Sequence, residues 1–357
     1  MRTLRRYLAV EIIMATALVV LALLMLFAFF DMVEEMKDLG RGNYRLKNIV
    51  LHVLLSLPTH VYEVFPIAAL IGTLFALAQL VASSEYTVMR TSGVSLMRLN
   101  AALLSVGLLF AVVTFAFGEF IGPPAEQFAQ RLRSLAIAGI VAQEFRSGLW
   151  VKDGRNFVNV GEVTPEADLK RIRIYEFDDD HRLQTLSLAE EARYVKDRIW
   201  TLKGVVRTTF EDQRTTVRRI DRLDWSSVLE PQLLSMLLVK PDRMSAWSLY
   251  SYSQHLRENR QRALRYEIAL WMKIMYPIAV LVMVILAVPF ASFQKRQGGV
   301  GARIFTGIML GLAFYTMNRL FGSLGLLYDW PAPVAAVTPT LLFLALALGM
   351  MALQERR

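Results

Sequence analysis

Six long apolar runs dominate this chain, at residues 8–30, 49–82, 101–121, 268–290, 304–327 and 333–353. About 20 apolar residues cross a hydrocarbon core of about 30 Å, so each run predicts one membrane-spanning helix. Hydrophobic residues fill 55% of the 357 positions, more than one water-soluble core can use, and a soluble class is excluded. The second run is longer than one crossing needs and contains Pro58 and Pro66. Its first third reads either as part of the span or as a separate interfacial helix. Cysteine is absent, which removes disulfides, thiolate catalysis and cysteine-ligated metals.

Six spans put both termini on one side of the membrane. The short loops there carry Arg2, Arg5, Arg6, Arg90, Arg98, Lys295, Arg296, Arg303, Arg356 and Arg357, opposed only by Glu85 and Glu355. On the other side Lys37, Arg41, Arg45 and Lys47 are balanced by Asp31, Glu34, Glu35 and Asp38. The positive-inside rule therefore makes the termini cytoplasmic. The first run begins as a secretory signal does, after three arginines, but is too long for one and reads as a retained anchor. The net charge of +9 reflects this asymmetry rather than nucleic-acid binding.

A polar insert separates the third and fourth runs, outside the cytoplasm by this topology. In "LWVKDGRNFVNV" two strand-like runs meet at Asp153-Gly154, a hairpin signal. Ile172, Ile174 and Phe177 alternate with polar residues before a turn at Asp178–Asp180, and a further hairpin centres on Lys196-Asp197. A sandwich or jelly roll is expected. Ser245 then caps a helix on which Trp247, Leu249, Tyr252 and Leu256 partly share a face. The expected fold is six transmembrane helices with an inserted all-β, jelly-roll-like domain: residues 1–125 hold spans one to three, 126–262 the β domain and its helical return linker, and 263–357 spans four to six.

No phosphate-binding G-x-x-x-x-G-K-[ST] run occurs, and neither H-E-x-x-H nor G-x-S-x-G is present. His52, His60, His181 and His255 lack metal-ligand spacing. The chain reads as a non-enzyme, with no catalytic residue, metal or cofactor of its own. The informative residues are charges in or beside the membrane, which are costly in lipid and must face protein, water or an interface. Glu11, Glu119 and Lys273 lie near enough to span ends to snorkel, and Glu63 lies within span two. Asn318-Arg319 in span five reads as either a functional cavity or a buried structural pair.

Two segments invite functional readings. The outer stretch "DMVEEMKDLGRGNYRLKN" is either a solvated loop or a contact for anionic headgroups through Lys37, Arg41, Arg45 and Lys47. The inner stretch "VASSEYTVMRTSGVS" starts a short helix capped by Ser83 or Ser84, carries Glu85, Tyr86, Val88, Met89 and Arg90, and stops at Gly93. It is either a plain connector or a docking helix for a motor protein. Gly307-x-x-x-Gly311 and Gly118-x-x-x-Gly122 suit close helix packing.

The order of elements, with "DLGRGNY", "SSEYTVMRTSGVS", "GEFIGPPAEQFA", "GLWVKDGRNFV" and "RYEIALWMKIMYP", resembles the lipopolysaccharide-export permeases LptF/LptG, and is most similar to the LptG branch. The resemblance implies a bacterial inner-membrane permease subunit of an ABC-type transporter. It implies that the chain pairs with LptF on an LptB ATPase dimer, with LptC receiving the substrate and ATP and Mg bound by the partner ATPase. Ser84, Glu85, Tyr86, Met89, Arg90 and Gly93 then fall where the ATPase docks. Lys37 falls at a headgroup-contacting position, whereas Asp31 and Asp38 stand where two further lysines are expected. Phe27, Phe30, Asn318 and Arg319 fall in the first and fifth spans, which would form lateral gates. The alternatives are an LptF sibling, a lipoprotein-release permease, or a membrane-anchored periplasmic scaffold or sensor.

Overall fold

A computed structural model describes residues 2–92, 96–136, 148–154, 156–164, 168–180, 182–196, 198–211, 214–227, 240–259, 261–293 and 300–355. The helices are α1 (Arg2–Glu35), α2 (Leu46–Ala82), α3 (Glu85–Thr91), α4 (Leu96–Ala116), α5 (Gly122–Ala136), α6 (Ala246–Glu258), α7 (Leu264–Phe293), α8 (Val300–Leu327) and α9 (Ala332–Glu355). Six of the described helical segments are long and apolar enough to cross a membrane. The expected spans are all present.

The second run is one unbroken helix of 37 residues, with both prolines inside it. At 1.5 Å per residue it is roughly 55 Å long, well beyond a hydrocarbon core of about 30 Å. No separate interfacial helix precedes it. It is also the centre of the bundle: 78% of its most apolar window is buried, against 17% for each of α1 and α8. Leu70, Leu74, Leu77, Val280, Met283, Leu286 and Phe314 join residues of α1, α4 and α9 in one core.

Between apolar helices in lipid there is little hydrophobic drive to associate, so close packing at small residues matters more. A Cβ on Gly307 would lie 2.9 Å from Leu74, and one on Gly311 2.7 Å from Ile67, which seats α8 on α2. The small-residue pair of span five thus packs within the chain, as expected. On another side of α2, Gly72 lies against the backbone of Thr16, making the crossing with α1. Gly118 likewise admits the ring of Tyr62, 2.6 Å from where a Cβ would sit.

Span three continues beyond its expected end at residue 121. A π-helical turn, Phe117–Ile121, joins α4 to α5, just before Pro123 and Pro124, whose missing N–H groups cannot continue a regular α-helical ladder. The turn carries the Glu119 carboxylate to the start of α6, where it accepts hydrogen bonds from Ala246 N–H (2.7 Å) and Trp247 N–H (3.2 Å). Ser245 caps the same helix, accepting from Ser248 N–H at 3.0 Å. Glu119 therefore does not snorkel. Lys273, expected to do so, is buried, donates to the Met244 carbonyl and lies 5.3 Å from the Tyr62 ring centroid.

The insert is all-β, as expected. Over the described residues it is one antiparallel sheet of six strands in chain order: β1 (Leu149–Asp153), β2 (Asn156–Val163), β3 (Leu169–Phe177), β4 (Leu183–Lys196), β5 (Ile199–Glu211) and β6 (Arg214–Ser226). The expected reversals join β1 to β2, β3 to β4 and β4 to β5. Val158, Val160, Ile172, Ile174, Ala192, Trp200, Leu202 and Trp225 form one buried cluster. The ladder Val158–Ile174–Ser187–Arg207–Arg218 marks where that face changes character. One step further, Glu176 pairs with Arg207 at 2.9 Å. An inward face that is apolar throughout is not what these strands form.

Candidate functional site

Two ends of the bundle carry the residues singled out by the sequence. At the end bearing the sheet, α1 presents Asp31, then Glu35 one turn on, and Asp38 in the 3-10 turn that follows. Spacings of four and three residues put such side chains on one helical face. That face meets bases on neighbouring helices. His60 Nε2 lies 2.6 Å from Asp31 Oδ2, and its Nδ1 lies 3.2 Å from Glu63 Oε2. His52 Nε2 lies 3.5 Å from Glu35 Oε1, with its Nδ1 3.2 Å from the Ala129 carbonyl of α5. Arg133 of α5 reaches Asp38 at 2.6 Å and Glu35 at 3.4 Å.

The loop between α1 and α2 is fastened to the same network. Tyr44 is buried and donates its hydroxyl to Glu35 Oε2 at 2.6 Å. Its burial, and then that hydrogen bond to the carboxylate, push its phenol well above the usual range. Asn43 N–H donates to the Ala136 carbonyl at 2.8 Å. Gly40 takes a φ of 85° to make the turn, a conformation that suits a residue without Cβ.

These pairings change the charge reading of the loop. Asp31 and Asp38, which stand where the resemblance led us to expect lysines, serve internal pairs rather than facing outward. Arg41 is engaged by Asp38 at 2.6 Å, although 61% of its side chain stays exposed. Lys37, Arg45 and Lys47 are exposed and make no ion pair among the described residues. Outward-facing positive charge therefore exceeds outward-facing negative charge, and the balance read from composition does not apply to the surface.

Below this loop, α1 and α8 both pack on α2 and leave wide apolar faces open, including Leu18, Leu21, Met25, Phe29 and Phe30 on α1 and Phe305, Leu312 and Leu320 on α8. Phe27 is half-buried, its ring centroid 4.9 Å from that of His60, and Phe30 meets Phe29 edge to face. Asn318 is half-buried, whereas Arg319 is exposed and donates to the Tyr315 hydroxyl at 3.2 Å. Arg319 is thus neither a buried pair nor a cavity residue within this chain.

At the opposite end lies α3. Ser83 ends α2, its hydroxyl donating to the Leu80 carbonyl, and does not cap α3. Ser84 occupies the position before α3 with φ of 65°, and its carbonyl accepts from Val88 N–H. Glu85 opens the helix and accepts a hydrogen bond from the Tyr7 hydroxyl of α1 at 2.9 Å. Met89 turns inward onto the core and Val88 is exposed. The side chains of Tyr86 and Arg90, and Gly93 altogether, lie outside the described residues.

Sequence reasoning missed the base partners of α1 and a second buried pair, Arg243–Glu126, at 2.7 Å. Burial works against charge on Arg243, but Glu126 more than offsets it and the guanidinium is held charged. The signal for the first was present in the spacings of the acids and histidines; none marked the second.

Residues 6–353 match the family described as lipopolysaccharide export system permease LptF/LptG. The chain is 35% identical over 346 residues to the lipopolysaccharide export system permease protein LptG of Haemophilus influenzae, covering 96% of each chain. It is 31% identical over 348 residues to the protein of that name from Escherichia coli strain K12, covering 97% of each. With a match that runs nearly from end to end and a fold of six spans around an inserted sheet, the chain belongs to the lipopolysaccharide export permease family LptF/LptG.

Proposed function

We propose that this chain is the LptG-type permease subunit of the lipopolysaccharide exporter, working in the inner membrane with its termini cytoplasmic and its sheet in the periplasm. The observation that carries this reading is the combination of two uncovered apolar helix faces, on α1 and α8, with the surplus of exposed cations at the sheet end of α1. A multi-acyl lipid leaving a bilayer loses about 0.8 kcal/mol per exposed methylene unless apolar protein surface replaces it. Open faces on α1 and α8 supply such surface once a second permease, LptF, stands opposite them. Lys37, Arg45 and Lys47 then lie where headgroup phosphates of the outer leaflet would pass.

The energy comes from the LptB ATPase dimer, which binds ATP and Mg; LptC receives the lipid. The docking element for LptB on this chain is α3. Because Glu85 is hydrogen-bonded to Tyr7, a push on α3 is felt at the start of α1, the helix that borders the lipid path. The test is copurification in mild detergent combined with photo-crosslinking from Phe30, Lys37 and Arg45. LptF and LptB should be recovered together and lipopolysaccharide should crosslink; a reproducibly solitary chain with no lipid adduct would remove the reading.

A further inference from the structure

The pairing of His52 and His60 with α1 is a feature the transport reading does not use. Each imidazole is buried; His60 has a carboxylate acceptor at both ring nitrogens, Asp31 and Glu63, whereas His52 has the Ala129 carbonyl at Nδ1 and Glu35 only as a neighbour 3.5 Å from Nε2. A neutral imidazole has one N–H and can satisfy one acceptor. The imidazolium has two and satisfies both. Asp31, His60 and Glu63 do not converge on a point that could hold a metal ion, so protons are what can fill these gaps.

The surroundings of His60 bear on this, and those of His52 complete the seam. The groups facing His60 are Asp31 on α1, Glu63 on α2 and Arg243 ahead of α6, whose charge acts on both carboxylates. Tyr276 of α7 donates to the Glu63 carbonyl at 2.6 Å and fixes that turn. His52 is faced by Glu35 on α1, a carboxylate that also holds Arg133 of α5 and the Tyr44 hydroxyl. Phe27 closes the side of His60. Elsewhere α1 has a largely open surface, so this polar seam is a main tie of its sheet-end half to the rest of the bundle.

From this geometry we infer that His60 is a positioning residue for lipid entry: as an imidazolium it bridges Asp31 of α1 and Glu63 of α2 and latches the sheet-end half of α1 to α2, and loss of its proton loosens that tie. Deprotonation leaves the ring with a single N–H, so only one of Asp31 and Glu63 keeps its donor from His60. Asp31 and Glu63 are then also left as two carboxylates around a neutral ring, and their repulsion acts to part α1 from α2. The latch is closed on the acid side and loosens as pH rises. Its meaning for transport rests on the reading of α1 as a border of the lipid path, but its existence does not.

The chain has no cysteine, so two labels can be placed without removing any. Val33→Cys on α1 and Leu54→Cys on α2 are both exposed positions, and spin labels there report the separation of the two helices. Distances would be measured by pulsed electron resonance on the full chain in its complex, in nanodiscs, between about pH 6 and about pH 10, a span that covers the charge change of an imidazole with charged neighbours. We expect one narrow distance at the acid end and a growing longer population towards the alkaline end. His60→Gln and, separately, Asp31→Asn should lose the narrow population at every pH. A narrow distance that ignores pH, or a pH response that survives in His60→Gln, would overturn the proposal. The measurement needs no substrate, so lipid release that fails while the distance still responds counts against the transport reading alone.

Discussion

Tyr7 and Glu85 stand 78 positions apart in the chain, and the tyrosine hydroxyl donates to the glutamate carboxylate at 2.9 Å. The bond links the first turns of α1 to the first residue of α3, a helix of 7 residues. Nothing in either local sequence announces the other. Its effect is to give a surface helix, short enough to be moved, a grip on a membrane helix.

Reversing the charge in Glu85→Lys should therefore lower recovery of the ATPase subunit by about tenfold, the factor expected when a contact to a charged group worth roughly 1.5 kcal/mol is lost. Tyr7→Phe should leave recovery unchanged and reduce the lipid released per ATP hydrolysed. Both are read by quantitative copurification and by a vesicle release assay. Equal recovery of the ATPase with Glu85→Lys would show that α3 is only a connector.

The start of α6 is capped twice, by Ser245 and by Glu119 from the π-helical turn. Ser245→Ala should cost about 1 kcal/mol and Glu119→Ala somewhat more, since its acceptor is charged. Thermal unfolding in detergent measures both. Two unchanged midpoints would mean that α6 holds without its caps.

Glu126 is 1% exposed, and its charge is met by Arg243. Removing one partner strands a buried charge, so Arg243→Met should destabilise by about 3–5 kcal/mol. The double variant Glu126→Leu/Arg243→Met should regain most of that. If the double variant is as unstable as the single one, packing rather than charge holds this junction.

Gly311 has the side chain of Ile67 against it, whereas nothing stands within 4 Å of a Cβ at Gly349. Gly311→Val should cost about 1–3 kcal/mol by overpacking the seam of α8 on α2. Gly349→Ala on α9 should be neutral or stabilise by up to about 1 kcal/mol, because alanine is the better helix former. Comparable losses at both positions would remove the argument from close approach.

Lys37, Arg45 and Lys47, changed together to glutamine, should cut crosslinking of lipopolysaccharide to the loop several-fold, while Arg41→Gln, whose charge Asp38 already meets, should have a smaller effect. Undiminished crosslinking in the triple variant would leave the loop as a solvated connector.

How much of this was legible beforehand depends on what each pattern encodes. Apolar length fixes a span, and Asp153-Gly154 and Lys196-Asp197 fix reversals, because turn geometry is local. The fate of Asp31 and Asp38 is not local. Their spacing with Glu35 names a helix face, and the eight-residue separation of His52 from His60 suggests another, but periodicity cannot say at what height two helices meet. Hence the acids read as missing cations when Asp31 is the partner of the buried His60 and Asp38 of Arg133 and Arg41. Lys273 and Glu119 were misjudged for a related reason: closeness to a span end permits snorkelling, and only the tertiary arrangement reveals an N-terminus or carbonyl nearer than water. In the insert, alternation predicts which residues turn inward, yet Arg207 and Glu176 sit at the end of that face as a partly exposed ion pair, and alternation carries no sign of that.

The contact of Gly72 with Thr16 has a mechanical corollary. Nine residues separate Tyr7 from Thr16 and fifteen separate Thr16 from Asp31, or about 14 Å and about 22 Å along a helix rising 1.5 Å per residue. A stiff α1 rocking on that glycine as a fulcrum would swing its two arms in opposite directions, and by lever ratio a 1 Å nudge at the tyrosine, on the order of thermal amplitudes, would become roughly 1.7 Å at the aspartate.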